Sequence, residues 1–108
     1  MASTYKVLGQ VAPNITTATT LYTVPAATST VASTLTICNF GAPTTYRVAV
    51  RPAGASLAAL HYIAYDSTIN GNDTVLLTLG LSLAATDVIT VYAGAATLSF
   101  GLFGVEMS

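Results

Sequence analysis

The chain has 108 residues, of which 53% are hydrophobic and only 6% are Asp, Glu, Lys or Arg, giving a net charge of -1; an ordinary soluble domain carries about 25% charged residues. Three basic residues against four acids exclude a phosphate-gripping nucleic-acid surface, which uses of order six to ten Lys or Arg when binding is strongly salt-dependent. A membrane span is excluded as well, because Thr, Ser, Asp, Gly or Pro interrupts every apolar stretch before the roughly 20 residues a spanning helix needs.

Residues 4–11 open with an extended, mostly apolar segment, and Ala12 to Thr20 forms a connection with no helical periodicity. Leu21 to Val24 is a short strand ended by Pro25, which cannot donate to a ladder, and Ala26 to Ser29 is a turn. From Thr30 the alternation is clean: Val31, Ser33, Leu35 and Ile37 take one face, Ala32, Thr34, Thr36 and Cys38 the other. Asn39 to Pro43 breaks this strand. Thr45 to Arg51 is the next, with Arg47 and Arg51 on one side, about 13 Å apart along it.

Pro52 stops that strand, and Ala53 to Ala59 is a loop or a single helical turn. Leu60 to Asp66 alternates so that His61, Ile63 and Tyr65 face away from Tyr62, Ala64 and Asp66. Ser67 to Asp73, with Asn70-Gly71-Asn72, is a turn; Thr74 to Leu79 is a strand; Gly80 to Thr86 is a connection. Asp87 to Ala93 and Thr97 to Met107 complete the series. The sum is an all-β chain: an antiparallel, jelly-roll-like β-sandwich of about eight short strands in one domain, residues 1–108.

Cys38 is the only cysteine, so no internal disulfide framework exists. The Met-Ala-Ser-Thr start has no basic region followed by an apolar run, so no secretory leader is expected, and Asn14 and Asn72 read as loop asparagines. Low charge and high apolar content point to burial against other protein. A homo-oligomer, or a subunit seated in a larger lattice, is expected.

Chemistry-bearing residues concentrate between Thr45 and Asp66. A hydrolase would draw Ser56, His61 and Asp66 together, but no Gly-x-Ser-x-Gly elbow is present and alternation separates His61 from Asp66. One His, one Cys and four scattered carboxylates give no metal-ligand spacing, and Asp66, Asn70, Asn72 and Asp73 lack the order and closing Glu of a calcium loop. No catalytic residue, metal or cofactor is expected. Arg47, Arg51, His61, Tyr65 and Asp66 are instead assigned to an assembly interface, since Arg and Tyr are the residues enriched at binding hot spots and Asp66 can answer a buried Arg.

Val-Leu-Gly-Gln-Val-Ala-Pro (7–13), Thr-Leu-Tyr-Thr-Val-Pro (20–25), Ser-Thr-Leu-Thr-Ile-Cys-Asn (33–39), Tyr-Arg-Val-Ala-Val-Arg-Pro-Ala-Gly (46–54), His-Tyr-Ile-Ala-Tyr-Asp (61–66) and Phe-Gly-Leu-Phe-Gly-Val-Glu (100–106) together span nearly the whole chain. In this combination the sequence resembles small virion structural proteins of tailed bacteriophages, particularly cyanophages. The resemblance implies a non-enzymatic role on the virion, made in the host cytoplasm. The foremost such role is a head decoration, or cement, protein, trimeric and bound over joints between major capsid protein subunits. A tail, baseplate or fibre accessory subunit is the alternative within the virion. From another class, a host-surface module would stack sugars on Tyr62, Tyr65 and Tyr92.

Overall fold

The computed structural model describes residues 2–108. Eight strands form in chain order: β1 (Ser3–Val11), β2 (Thr19–Thr23), β3 (Ser29–Asn39), β4 (Thr44–Arg51), β5 (Tyr62–Ile69), β6 (Asp73–Leu83), β7 (Val88–Ala93) and β8 (Leu98–Met107). One sheet has the order β1-β8-β3-β6 and the other β2-β7-β4-β5, and every paired strand is antiparallel. Each connection crosses from one sheet to the other except the link from β4 to β5. This is the wiring of an eight-stranded jelly roll.

Alternation builds the core between the sheets. Leu35, Ile37, Leu98, Phe100 and Leu102 face inward from the first sheet, and Val48, Ile89 and Val91 meet them from the second. The total accessible surface of 5413 Å² is close to the roughly 5,600 Å² expected for a compact monomer of this mass. Packing within the chain is therefore complete, and the apolar side chains left outside are a property of the surface.

The structure differs from simple alternation at bulges in several strands, β1 and β2 included, and those in β3, β6 and β5 change the expected facing or bounds most. In β3 an extra residue at Ser33 shifts the ladder between Ala32 and Thr34, so Ala32 turns inward with Leu35 and Ile37, while Val31 lies on the opposite face. In β6 the ladder shifts around Gly80, whose φ of 62° suits glycine, and the strand runs on to Leu83 through what reads as a connection. In β5 the ladder shifts twice, and the strand extends to Ile69 instead of ending at Asp66. One inserted residue reverses the facing of everything after it, and period-two reading has no means of seeing the insertion.

Two buried polar centres join the loops. Asn39 is almost fully buried; its Nδ2 donates to the Ala42 and Asn70 carbonyls, and its Oδ1 accepts from the Gly41 N–H and the Thr97 hydroxyl. Tyr22 donates its hydroxyl to Glu106 Oε2 and lies 2.8 Å from Thr30 Oγ1, while Lys6 Nζ stands 3.2 Å from Glu106 Oε1. Burial, reinforced by the Glu106 bond, pushes the Tyr22 hydroxyl up to about 12. The Tyr22 bond, with help from Lys6, holds Glu106 below the usual carboxylate range.

The signs of these shifts fix the pH dependence. Tyr22, raised in the folded chain, contributes stability that is complete below its ordinary value of 10.0 and fades as pH rises through about 12. Glu106, depressed in the folded chain, contributes stability that is complete above about 4.3 and fades as pH falls through its folded value. Urea midpoints should therefore fall both near pH 11 and near pH 3. Tyr22→Phe should flatten the alkaline limb, and an alkaline limb unchanged in that variant would remove this assignment.

Candidate functional site

The outward face of the second sheet carries the cluster that the sequence concentrates between Thr45 and Asp66. In β4, Tyr46 and Val48 point into the core, which turns Arg47 and Arg51 outward together. Arg47 pairs across the ladder with Tyr92 of β7, so these two side chains share a face. On the other flank, β5 bulges opposite Arg47. Ala64 pairs with Val48 and Ser67 with Tyr46, leaving both Tyr65 and Asp66 facing the single residue Arg47. Asp66 takes a φ of 49°, a left-handed conformation that Asp tolerates better than most residues.

Expected opposition of Tyr65 and Asp66 is thus corrected: the bulge gathers both around Arg47. The guanidinium lies 4.2 Å from the Tyr65 ring centroid and 4.2 Å from that of Tyr92. Arg47 Nε donates to Asp66 Oδ1 at 2.7 Å and Nη2 donates to Oδ2 at 3.3 Å, the forked pairing that Arg geometry favours. Tyr62 meets Tyr65 edge to face, with centroids 4.9 Å apart. Asp66 raises the affinity of the guanidinium for its proton still further, so Arg47 stays charged while the pair is neutral as a unit. The result is a rigid patch of ring surface with its charge already answered.

The other assigned residues have different occupations. Arg51 donates from Nε to Thr90 Oγ1 and from Nη1 to the Ala55 carbonyl, both at 3.0 Å, and so ties down the loop that follows β4. Asp87 holds the same loop from below by accepting from the Ala53 and Ala84 N–H groups. His61 is buried in a short 3-10 turn (Ala59–His61), where its Nδ1 accepts from the Ala58 N–H. The ring thus closes a loop from inside and presents little surface of its own.

Ser56, His61 and Asp66 are not assembled as a relay. Asp66 turns both oxygens to Arg47, and His61 Nδ1 already holds a backbone N–H. The residues of the calcium-like run disperse in the same way, since Asp73 Oδ1 accepts from the Thr74 N–H and the Asn70 carbonyl accepts from Asn39. Among the described residues no group of three or more His, Cys, Asp or Glu gathers, and no helix is long and apolar enough to cross a membrane.

Beside the Arg47 cluster, Leu57, Ala58, Ala59, Tyr62 and Tyr65 line a shallow groove of about 450 Å³. Leu60 is 83% exposed, Tyr65 58% exposed, and Ile63 and Leu57 also stand in solvent. Sequence reading named Tyr92 with Tyr62 and Tyr65 for sugar stacking but missed its place against Arg47, 45 positions away and joined only through strand pairing; it also missed the exposed apolar rim, whose residues read as ordinary strand and loop formers. No protein-family model matches this sequence, and neither does any curated protein.

Proposed function

We propose that the protein is a non-enzymatic structural subunit that docks onto another protein through the outward face of its second sheet. The observation that carries this reading is the Arg47 guanidinium held between Tyr65 and Tyr92 and bonded to Asp66, at the edge of an exposed apolar rim. Tyr and Arg dominate interface hot spots, and side chains already fixed in place lose little freedom on binding. The low charge of the chain supports the same reading, because such a surface gains by being covered.

Resemblance to small virion proteins of tailed phages makes the partner specific: a capsid surface, with the chain acting as decoration protein over joints between major capsid subunits. Jelly rolls recur in viral capsid proteins, which supports that choice as analogy of fold; they recur in lectins too. The test is binding of the purified chain to expanded capsids of the phage that encodes it. The decoration reading requires saturation at a stoichiometry matching capsid symmetry. Absence of binding there, with immunogold label on tails, would replace it by a tail accessory role.

The groove beside Tyr62 and Tyr65 favours a second reading, a carbohydrate-binding module. Arg47 lies over one ring face of Tyr65 and of Tyr92, which leaves less open aromatic surface for sugar stacking. Binding to host-envelope glycans that is lost in Tyr65→Ala would establish this reading, and none at millimolar glycan would remove it.

A further inference from the structure

The first sheet has an outward face of its own, and it is of a different kind. Pairing in register sets Tyr5 and Val7 of β1 opposite Val105 and Phe103 of β8, with Val31 of β3 against Val105 from the other side. Met107 continues the row, and Leu76 of β6 stands exposed on the same face. Tyr5 is 84% exposed, a projecting ring beside a groove of about 420 Å³ that runs between it, Phe103, Val105 and Val31. Phe103 lies flat because its neighbour on this face is Gly101; a Cβ there would stand 3.1 Å from Phe103 Cε1. The ring fills the space a side chain would take, so the patch of Tyr5, Val7, Val31, Phe103, Val105 and Met107 is smooth as well as apolar, and Thr34, Thr36, Thr78 and Ser82 border it on the β3–β6 side.

None of the seven charged residues occupies this outward register. Arg47, Arg51 and Asp66 belong to the second sheet, Asp87 to the loop before β7, and Asp73 pairs with buried Asn39. Glu106 turns inward to Tyr22, and its Oε1 lies 3.2 Å from the Lys6 ammonium, so the one cation that borders the groove is answered by a carboxylate. The polar members of this face are uncharged Ser, Thr and Gln side chains, whereas charges are the usual guard against association.

From this we infer that the outward face of the first sheet packs against the same face of a second copy of this chain. The inference rests on the assembly reading only in taking the exposed apolar surface as one meant to be covered. An uncharged face disfavours a charged partner, whose groups would be desolvated without compensation, and the neutral face always at hand is that of another copy. Size agrees: four strands of nine to eleven residues present roughly 650 Å² in projection, and side-chain relief brings this near the ~800 Å² per partner of a standard interface. A two-fold contact brings the same patch from both copies together, so each projecting Tyr5 can enter the groove of the other.

Sedimentation velocity over a dilution series from about 1 to 200 µM tests this, with Tyr5→Glu, Val31→Lys and the control Leu60→Glu, each checked for an unchanged melting curve. The wild type should associate reversibly. Tyr5→Glu should weaken association at least about tenfold, as should Val31→Lys where it folds, while Leu60→Glu leaves it unchanged. Cys38 lies on this face, so its reaction with a thiol reagent should slow as wild-type concentration rises and should not slow in Tyr5→Glu. A wild type monomeric at 200 µM, or a Tyr5→Glu variant that associates as tightly, would overturn the inference. A monomer that still binds capsids would overturn it and leave the docking reading standing.

Discussion

Arg47→Ala should weaken docking about thirtyfold or more, the range for truncation of a hot-spot Arg, while leaving the melting temperature close to that of the wild type. The reasoning lies in what Arg47 touches. Its contacts are the faces of Tyr65 and Tyr92 and the carboxylate of Asp66, all on the outer surface of the sheet and none in the core. Removal frees two rings and strands Asp66 as a lone acid on an otherwise neutral patch. Arg47→Lys should fail to restore binding, because an ammonium cannot reproduce the planar stack or the forked bond. Tyr65→Ala and Tyr92→Ala should each give part of the loss, and the double variant less than their sum. Arg51→Ala should behave differently: its donors hold the loop at Ala55, so it should speed proteolysis of that loop more than it weakens docking. Titration against the proposed capsid partner, with melting curves alongside, separates these outcomes.

Asn39→Ala should lower stability by about 2–4 kcal/mol, a large share of the ~5–15 kcal/mol typical of a domain. The side chain is nearly solvent-free and serves both its donors and its acceptor within the chain. Removal leaves the Gly41 N–H, the Thr97 hydroxyl and two carbonyls short of a partner where three connections meet. Asn39→Asp tests the mechanism: it keeps the acceptor and loses the donors to Ala42 and Asn70, so it should fall between wild type and alanine at neutral pH only if the carboxylate is tolerated there. Urea unfolding with a constant m-value measures the loss. An Asn39→Ala midpoint equal to wild type would mean that water replaces the side chain at no net cost.

Strand existence was legible in this sequence because β-branched residues alternate and Gly, Pro and Asn mark the turns. Facing was legible only as far as the first bulge in each strand. Thr45 to Arg51 has none on its β7 side, and both arginines emerge on one side as alternation requires. Leu60 to Asp66 contains one beside Arg47, and there alternation separated Tyr65 from Asp66 although the folded chain brings both to the same guanidinium. His61 was assigned to a surface because it was the lone imidazole in a polar stretch, yet it is a loop closure bonded to its own neighbour, Ala58. Tyr22, Thr30, Lys6 and Glu106 meet from four strands, and nothing local in any of the four announces the others. Composition, by contrast, spoke for the whole surface: so few charges on 108 residues leave two broad faces with little to keep them apart from protein.

Cryo-electron microscopy of particles of the phage proposed to encode this chain tests the central claim most directly. The account predicts an eight-stranded sandwich seated on the particle, with Arg47, Tyr65 and Tyr92 against another protein and no solvent layer between. A sandwich absent from the particle, or bound with that face turned to solvent, would contradict it.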